Sequence, residues 1–262
     1  MPLKSSESFV LDARKFKEAD LLVSLFTADE GKIRGVAPSG AKSRRRFGGK
    51  LERLSRVRVA WFEKEGIELV RIDSCDLLEE SFTLQRDLRT AATLAYVAEV
   101  TDTFAREREP DPRFFRLLKA LMGAFRQLGP GLDPGPLARY FEIWTLRLHG
   151  LMPDLDRCGR CGKEMGGGGV FIEAGETPAA VCASCRRKSP GVGASRFVKV
   201  SPAARAALDR FRTSAPAEQA EGVLAPAAAA EIETFAGALL TGFVGHPFRS
   251  YRFMKECSQE PV

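Results

Sequence analysis

Histidine is scarce in this chain, and the common nucleotide-binding sequences are absent. The two histidines, His149 and His246, belong to no helix-borne metal motif and accompany no nucleophile. The segment GlyLysIleArgGly at 31–35 contains glycine and lysine but does not form the GxxxxGK(S/T) loop that cradles phosphates, and no GxGxxG occurs. These absences predict that the chain is not an enzyme and has no small-molecule substrate; a hydrolase with an unrecognised nucleophile stays an alternative.

Long apolar runs are also missing. The N-terminus MPLKSSESFVLDARKF has no apolar core of a secretory signal, and no stretch is expected to approach the roughly 18 apolar residues that span a bilayer. We therefore expect a cytoplasmic protein without a membrane partner. In the reducing cytosol the six cysteines are not expected to form disulfides, so their spacing indicates metal binding or simple burial.

Positive charge is concentrated in one segment. The chain carries a formal charge of +6, but between Lys32 and Arg58 ten lysines and arginines face a single acid, Glu52. That segment therefore sums to +9, and the remainder of the chain sums to −3. A basic block on a mildly acidic protein is typical of a polyanion-binding surface, with a solvated basic loop as the alternative.

Hydrophobic periodicity predicts an α+β chain, with strands first and helices afterwards. A small sheet of short strands must close or be covered to hide its edges, so residues 1–79 are predicted to form a small barrel or sandwich. Residues 80–262 are predicted to form a helical domain with an irregular, zinc-ribbon-like insertion at about 155–190. The predicted strands are 8–16, 21–27, 32–37, 56–62 and 67–74, and the predicted helices begin near Ser81, follow ProAspPro at 110–112, and cover 137–148, 203–212 and 227–244.

The insertion contains two CxxC motifs separated by 20 residues. Each CxxC places two thiolates on a tight turn, and two such turns complete a tetrahedron of sulfur atoms about 2.3 Å from a metal. Four protein ligands leave no open position for water, so the predicted site is structural and holds one Zn²⁺. The proposed ligands are Cys158, Cys161, Cys182 and Cys185.

The basic segment 39–50 joins two predicted strands and contains almost nothing apolar, so we expect it to lie outside the core. Phe47 either stacks on a base or anchors the segment to the barrel. Because no donor pattern is committed to particular base edges, binding is predicted to be to the nucleic-acid backbone and steeply salt-dependent. The predicted DNA-contacting residues are Lys32, Arg34, Lys42, Arg44, Arg45, Arg46, Phe47, Lys50, Arg56 and Arg58.

Several segments together resemble the RecO family of recombination mediators. They are ValLeuAspAlaArgLysPheLysGluAlaAspLeuLeuValSerLeuPheThr at 10–27, GlyLysIleArgGlyValAla at 31–37, ArgPheGlyGlyLysLeuGlu at 46–52, the stretch 146–162 that ends in the first CxxC, and PheArgSerTyrArgPheMet at 248–254. The similarity covers most of the chain.

This resemblance implies an OB-fold barrel at the N-terminus and a helical C-terminal domain that contains zinc. It also implies binding of single- and double-stranded DNA, strand annealing, and help for RecA in replacing single-strand-binding protein. RecR and the acidic C-terminal tail of single-strand-binding protein are the implied partners. Arg139, beside Tyr140 and Phe141 on the third predicted helix, is a candidate for gripping that tail.

A different class of protein stays open on the sequence alone. In a zinc-ribbon RNA-binding or transcription-associated module the CxxC pair itself would contact nucleic acid. Arg186, Arg187 and Lys188, just beyond the last cysteine, are compatible with it.

Overall fold

The structure is a computed structural model that describes residues 2–64, 66–129, 131–175, 177–188, 197–221 and 224–259; the side chains of Arg44, Ala220, Glu221 and Gln259 are also outside the description. The chain divides into two compact units. The first is Met1–Met122 with Phe248–Val262, and the second is Gly123–Pro247. The domain division 1–79 and 80–262 concerns a different boundary and stays a prediction.

The first unit is built on a five-stranded barrel, as the fold class predicted. Neighbouring strands pair in the order β1-β2-β3-β5-β4, and β4 returns to β1 over seven residue pairs from Leu3↔Phe62 to Phe9↔Arg56. The seam between β3 and β5 is the shortest, with only Gly35↔Val70 and Val36↔Arg71. The strands are β1 Leu3–Phe16, β2 Asp20–Thr27, β3 Gly31–Ala37, β4 Arg56–Phe62 and β5 Val70–Glu79, and the short helix α1 Arg44–Phe47 lies between β3 and β4.

Period-two alternation explains which side chains fill the barrel. On β4, Val57, Val59 and Trp61 are fully buried, whereas Arg58 between them is exposed. Trp61 therefore belongs to the barrel core. On the outer side of the barrel, Phe9 of β1 and Phe26 of β2 pack against Phe114 and Phe115 of the helix α3, Pro112–Gln127. The ring centres are 5.2–5.6 Å apart.

The first unit contains helices that directly follow the barrel in sequence and also the last helix described in the chain. The helix predicted to begin near Ser81 is preceded by a 3-10 turn, Phe82–Arg86, and α2 starts at Leu88 because the Asp87 carboxylate caps it by accepting from Thr90 N at 2.7 Å. Besides α1, the described helices of this unit are α2 Leu88–Phe104, the first part of α3 Pro112–Gln127, and α9 Arg249–Gln259.

A carboxylate from α2 fixes the N-terminus of α9. Glu99 accepts hydrogen bonds from the backbone N–H of Arg249 at 2.9 Å and of Ser250 at 2.8 Å, and from the Ser250 hydroxyl. Burial raises the pKa of Glu99, but the Ser250 and Arg249 donors outweigh it, and the pKa lies below its usual value. The last helix of the chain is therefore tied to the barrel-containing unit by a contact 150 residues distant in sequence.

The second unit combines helices with a small sheet. The sheet has the order β7-β6-β8, and β8 lies beyond the predicted insertion boundary at 190. Its strands are β6 Val170–Glu173, β7 Ala179–Val181 and β8 Phe197–Val200. Its helices are α4 Gly135–Leu148, α5 Ala183–Arg187, α6 Pro202–Thr213, α7 Pro216–Glu221 and α8 Pro226–Val244, together with the end of α3.

One helix corrects the expectation about apolar stretches. By length and composition alone α8 could cross a membrane. Its buried side chains include Ile232, Phe235, Leu239 and Leu240. A core helix of a soluble protein passes the same test, so this helix is weak support for a membrane span.

Candidate nucleic-acid interface and metal centre

The basic segment after β3 is attached to the barrel by its one aromatic residue. Phe47 is only 2% exposed and belongs to the barrel core, so of the two roles left open by the sequence its position supports anchoring and leaves no face for a base. The Arg46 guanidinium lies 5.1 Å from the Phe47 ring centre and donates to Pro38 O at 2.7 Å. Lys50 Nζ donates to Cys75 O at 2.7 Å, so both cations help to hold the segment in place.

Two of the predicted DNA-contacting residues, Lys32 and Arg56, are largely covered by partners within the first unit. Arg56 bonds Glu7 at 2.7 Å and also Glu79; hydrogen bonding to Glu79, against the opposing effect of burial, raises its pKa. Lys32 donates to Asp102 O at 2.5 Å, and its side chain is 13% exposed. Because these side chains are mostly covered and already bonded, little of either cation is accessible to a DNA phosphate.

Other predicted residues are open to solvent. Lys42, Arg45 and Arg58 are exposed, and Arg34 pairs with Glu107 at 2.5 Å with half of its side chain exposed. The Arg44 side chain is outside the described part of the structure. Since Arg58 is directly opposite acids in the strands on both sides, Glu7↔Arg58 and Arg58↔Asp76, its charge is offset locally.

The structure adds three cations that the sequence interpretation missed. Arg14, Lys15 and Lys17, at the end of the β1–β2 hairpin, are exposed. The turn of this hairpin is bonded to the start of the basic segment, with Ala41 N donating to Ala19 O at 2.9 Å and Ser39 N to an Asp20 carboxylate oxygen at 2.9 Å. We call the resulting exposed set the barrel tip: Arg14, Lys15, Lys17, Lys42 and Arg45.

The four predicted zinc ligands lie together. Their sulfur atoms are all within 4.8 Å of one another, and Cys161 Sγ lies 4.0 Å from Cys182 Sγ. A tetrahedral zinc site with Zn–S bonds of about 2.3 Å has sulfur–sulfur edges of about 3.8 Å, so the cluster fits such an ion. The four cysteines could therefore hold a metal ion.

Local backbone structure creates each half of this centre. The first turn closes through Gly162 N donating to Cys158 O at 2.8 Å, with Gly162 at φ +68, a conformation that glycine adopts without steric cost. The second half is the start of α5, where the Cys185 backbone N–H points at Cys182 Sγ at 3.4 Å. Gly159 N donates to Ala180 O at 2.8 Å and joins the first turn to β7.

The thiols have uneven acidity. Burial raises the pKa of Cys158, but backbone N–H donors, Cys182 first among them, outweigh it and bring the pKa to about 6. Bonding to the neighbouring thiols of Cys161 and Cys182 raises the pKa of Cys185 to about 12. Crowded thiols cannot all ionise by themselves, and a bound dication would stabilise the four thiolates together.

Arg139 is enclosed by acids. Its guanidinium bonds Glu142 at 2.8 Å and Glu233 at 3.5 Å, and its side chain is 5% exposed. A buried arginine with two carboxylate neighbours has little capacity to grip an external acidic peptide. The prediction that Arg139 binds the tail of single-strand-binding protein is thus opposed by its surroundings.

Most of the chain is similar to known proteins. The family description "Recombination protein O N terminal" matches residues 1–81, and "Recombination protein O C terminal" matches residues 85–252. DNA repair protein RecO of Anaeromyxobacter sp. (strain K) is 37% identical over 248 residues, 94% of each chain. DNA repair protein RecO of Geobacter metallireducens is 31% identical over 252 residues, 96% of each chain. DNA repair protein RecO of Koribacter versatilis is 49% identical over 163 residues, which are 62% of this chain and 65% of that protein. The chain belongs to the RecO family of DNA repair proteins.

Proposed function

We propose that this chain is a non-enzymatic mediator of DNA repair that binds single- and double-stranded DNA through the barrel tip. Membership of a DNA repair family supports the role in repair. The main support for placing the DNA-binding surface at the barrel tip is that two basic segments, the β1–β2 hairpin and the segment after β3, are bonded to each other there. Three acids of the hairpin lie near the five tip cations in sequence: Asp12, which pairs with Arg53 at 3.7 Å, Asp20, which is bonded to Ser39, and Glu18.

Annealing follows from charge neutralisation. Two complementary strands repel each other through their phosphates, and a cationic surface that binds both lowers this barrier without hydrolysis. Binding at the tip should be independent of base sequence, because flexible lysine and arginine side chains on a hairpin and a loop present no fixed donor pattern to base edges.

The proposed cellular role has three partners. With RecR the chain would help load RecA onto single-stranded DNA that is covered by single-strand-binding protein, and it would act in the cytoplasm. For the acidic tail of that protein we expect a basic site that does not include Arg139 as a direct contact, since its guanidinium already lies against Glu142 and Glu233.

The proposed metal is one structural Zn²⁺ at the four cysteines. Four sulfur ligands favour zinc over the oxygen-preferring magnesium and calcium ions, and they leave no ligand position for catalysis. Cys158, Cys161, Cys182 and Cys185 would hold it. Bound there, the ion would join the first cysteine turn to the start of α5.

The test is annealing of complementary fluorescent oligonucleotides without ATP over a range of salt. A tip variant with Lys17, Lys42 and Arg45 changed to Ala should lose annealing, and its salt slope should fall by about 2 if three single-strand phosphate contacts disappear. A control with Arg113, Arg116 and Arg252 changed to Ala removes the same charge from exposed positions on α3 and α9 and should retain activity. Equal rates for tip and control variants would contradict the proposed location, and a wild type that neither binds nor anneals DNA would contradict the function.

A further inference from the structure

The sheet of the metal-binding segment has two unlike faces. Val170, Ile172 and Val200 are at most 1% exposed and point to one side. On the other side Phe171 is partly exposed, and Lys199, its direct partner in the β6–β8 register, is exposed. Directly opposed residues in antiparallel strands hold their Cβ atoms about 5 Å apart, so the lysine stem lies beside the ring.

An arginine from α5 completes this outer face. The Arg186 guanidinium carbon is 4.3 Å from the Phe171 ring centre, while the residue is exposed. A guanidinium stacked on a ring has its orientation fixed and keeps its N–H donors at the outer edge, where they match phosphate oxygens. Arg187 and Lys188 follow it and are exposed. We call Arg186, Arg187, Lys188 and Lys199, together with the Phe171 ring, the ribbon patch.

The acids of this segment do not neutralise all of its lysines and arginines. Over the described residues 156–175, 177–188 and 197–200, the three acids each have a partner: Asp156 bonds Arg205, Glu164 bonds Arg157, and Glu173 bonds Arg160. Within these residues Lys163 and the four cations of the ribbon patch form no ion pair. Four thiolates with one dication carry a net charge of about −2, so five cations exceed what the metal centre needs for neutrality.

We propose that the ribbon patch is a second nucleic-acid contact surface that binds the phosphodiester backbone of a DNA strand. The inference depends on the proposed function only in taking DNA as the ligand. Because the guanidinium covers one face of Phe171, that ring orients a phosphate-binding cation and is not a platform for bases. Contact is therefore with the backbone and independent of sequence.

A second surface has a direct consequence for annealing. When one strand is bound at the barrel tip and its complementary strand at the ribbon patch of the same molecule, the two strands meet at a high effective concentration. This increases the rate of pairing without a new active site. The patch also gives the metal-binding segment a role in ligand binding in addition to its structural role.

The experiment uses the full chain, a 40-residue oligo(dT) strand and a salt titration. Arg186→Ala with Lys199→Ala should weaken binding roughly tenfold at low salt and lower the salt slope by about 1.4, the value for two single-strand phosphates. Because Arg186→Ala also removes the contact with Phe171, a second variant, Arg187→Glu with Lys188→Glu, changes only exposed side chains and should show a loss at least as large. A control with Arg210→Ala and Arg252→Ala removes two exposed cations outside the patch and should bind like wild type.

The outcomes separate this inference from the proposed function. Both ribbon variants should retain the bound metal and the far-UV circular dichroism of the wild type. If wild type binds and the tip variant is impaired, while both ribbon variants match the control in affinity and slope, the second surface does not exist although the proposed function stands. If wild type does not bind oligo(dT) at all, both proposals fail.

Discussion

The two units of the chain hold their irregular segments in place by different chemistry. In the first unit the basic segment after β3 is attached through Phe47, which is 2% exposed in the barrel core, and through bonds from Arg46 and Lys50 to backbone carbonyls. In the second unit the segment around β6 and β7 is attached through four cysteines. One attachment depends on burial of an aromatic ring, and the other rests on four cysteines that could hold a metal ion. The difference teaches that a charged segment can be attached through one buried aromatic ring and a few hydrogen bonds to backbone carbonyls, whereas in the glycine-rich segment with a small sheet four cysteines come together instead.

The chain provides a separate optical reporter for each unit. Of its two tryptophans, Trp61 is fully buried in the barrel of the first unit, and Trp144 lies on α4 of the second. When one tryptophan is changed to Phe, the remaining tryptophan fluorescence reports only on the other unit. Trp144→Phe loses the hydrogen bond from Nε1 to Phe211 O, at 2.9 Å, so its own effect on stability must be measured first.

The largest expected effect is that of metal removal on the second unit. Structural zinc sites contribute metal-binding free energy on the order of 10 kcal/mol to the folded state. A chelator, or Cys158→Ala, should therefore release the metal and unfold the segment around β6 and β7. Protection of its amide hydrogens from exchange, measured by mass spectrometry together with metal content, checks this. Cys75→Ala, at a buried cysteine of the barrel, is the control and should keep the metal. Unchanged protection in metal-free protein would contradict a structural role.

The second effect is on the first unit. Phe47→Ala should reduce the free energy of unfolding by about 3–5 kcal/mol, the usual cost of truncating a buried Phe. Urea unfolding followed by Trp61 fluorescence in the Trp144→Phe background measures this. Phe82→Ala is the matched control, since Phe82 is 58% exposed and its truncation should cost less than about 0.5 kcal/mol. Similar losses for the two variants would mean that Phe47 does not anchor the segment.

The sequence predicted the fold well where periodicity is local. Alternation on β4 and the spacing of the two cysteines within each CxxC motif depend on neighbours a few residues apart, so they indicated the buried face and the cysteine pairs directly. The prediction for the basic segment was weaker at Phe47, because a single aromatic residue among charges carries no periodic signal. The small sheet was also missed, since four-residue strands among glycines have little pattern.

Charge was the property that the sequence could not place. A count of cations along the chain includes Lys32 and Arg56, but their partners Asp102 and Glu79 are 70 and 23 residues away. Conversely, the hairpin cations at 14–17 were missed because acids next to them in sequence balance the count. Only the bond between the hairpin turn and the basic segment brings them beside Lys42 and Arg45.

The smallest predicted effect concerns acid stability of the first unit. Glu63 accepts hydrogen bonds from Trp61 Nε1 at 3.1 Å and from Arg108, and it pairs with Lys4 at 3.0 Å. Burial raises its pKa, but these three donors outweigh it and bring the pKa to about 2. A carboxyl group with a depressed pKa stabilises the folded state above its unfolded pKa near 4.5, and this contribution disappears as pH falls towards 2.

Glu63→Gln should therefore cost about 1–2 kcal/mol at pH 7, because hydrogen bonds to charged groups are worth this much when partly exposed. Below pH 3 the difference between Glu63→Gln and wild type should shrink, since the wild-type carboxyl group is then losing its charge. Urea unfolding followed by Trp61 fluorescence at both pH values measures the change in difference, which cancels the titration of all other groups. Glu68→Gln, at an exposed position in the same unit, should show no such change between the two pH values. If the two variants behave alike, the Glu63 carboxylate does not stabilise the barrel, and the stability of the first unit rests on its apolar core and its other ion pairs, such as that between Arg56 and Glu7.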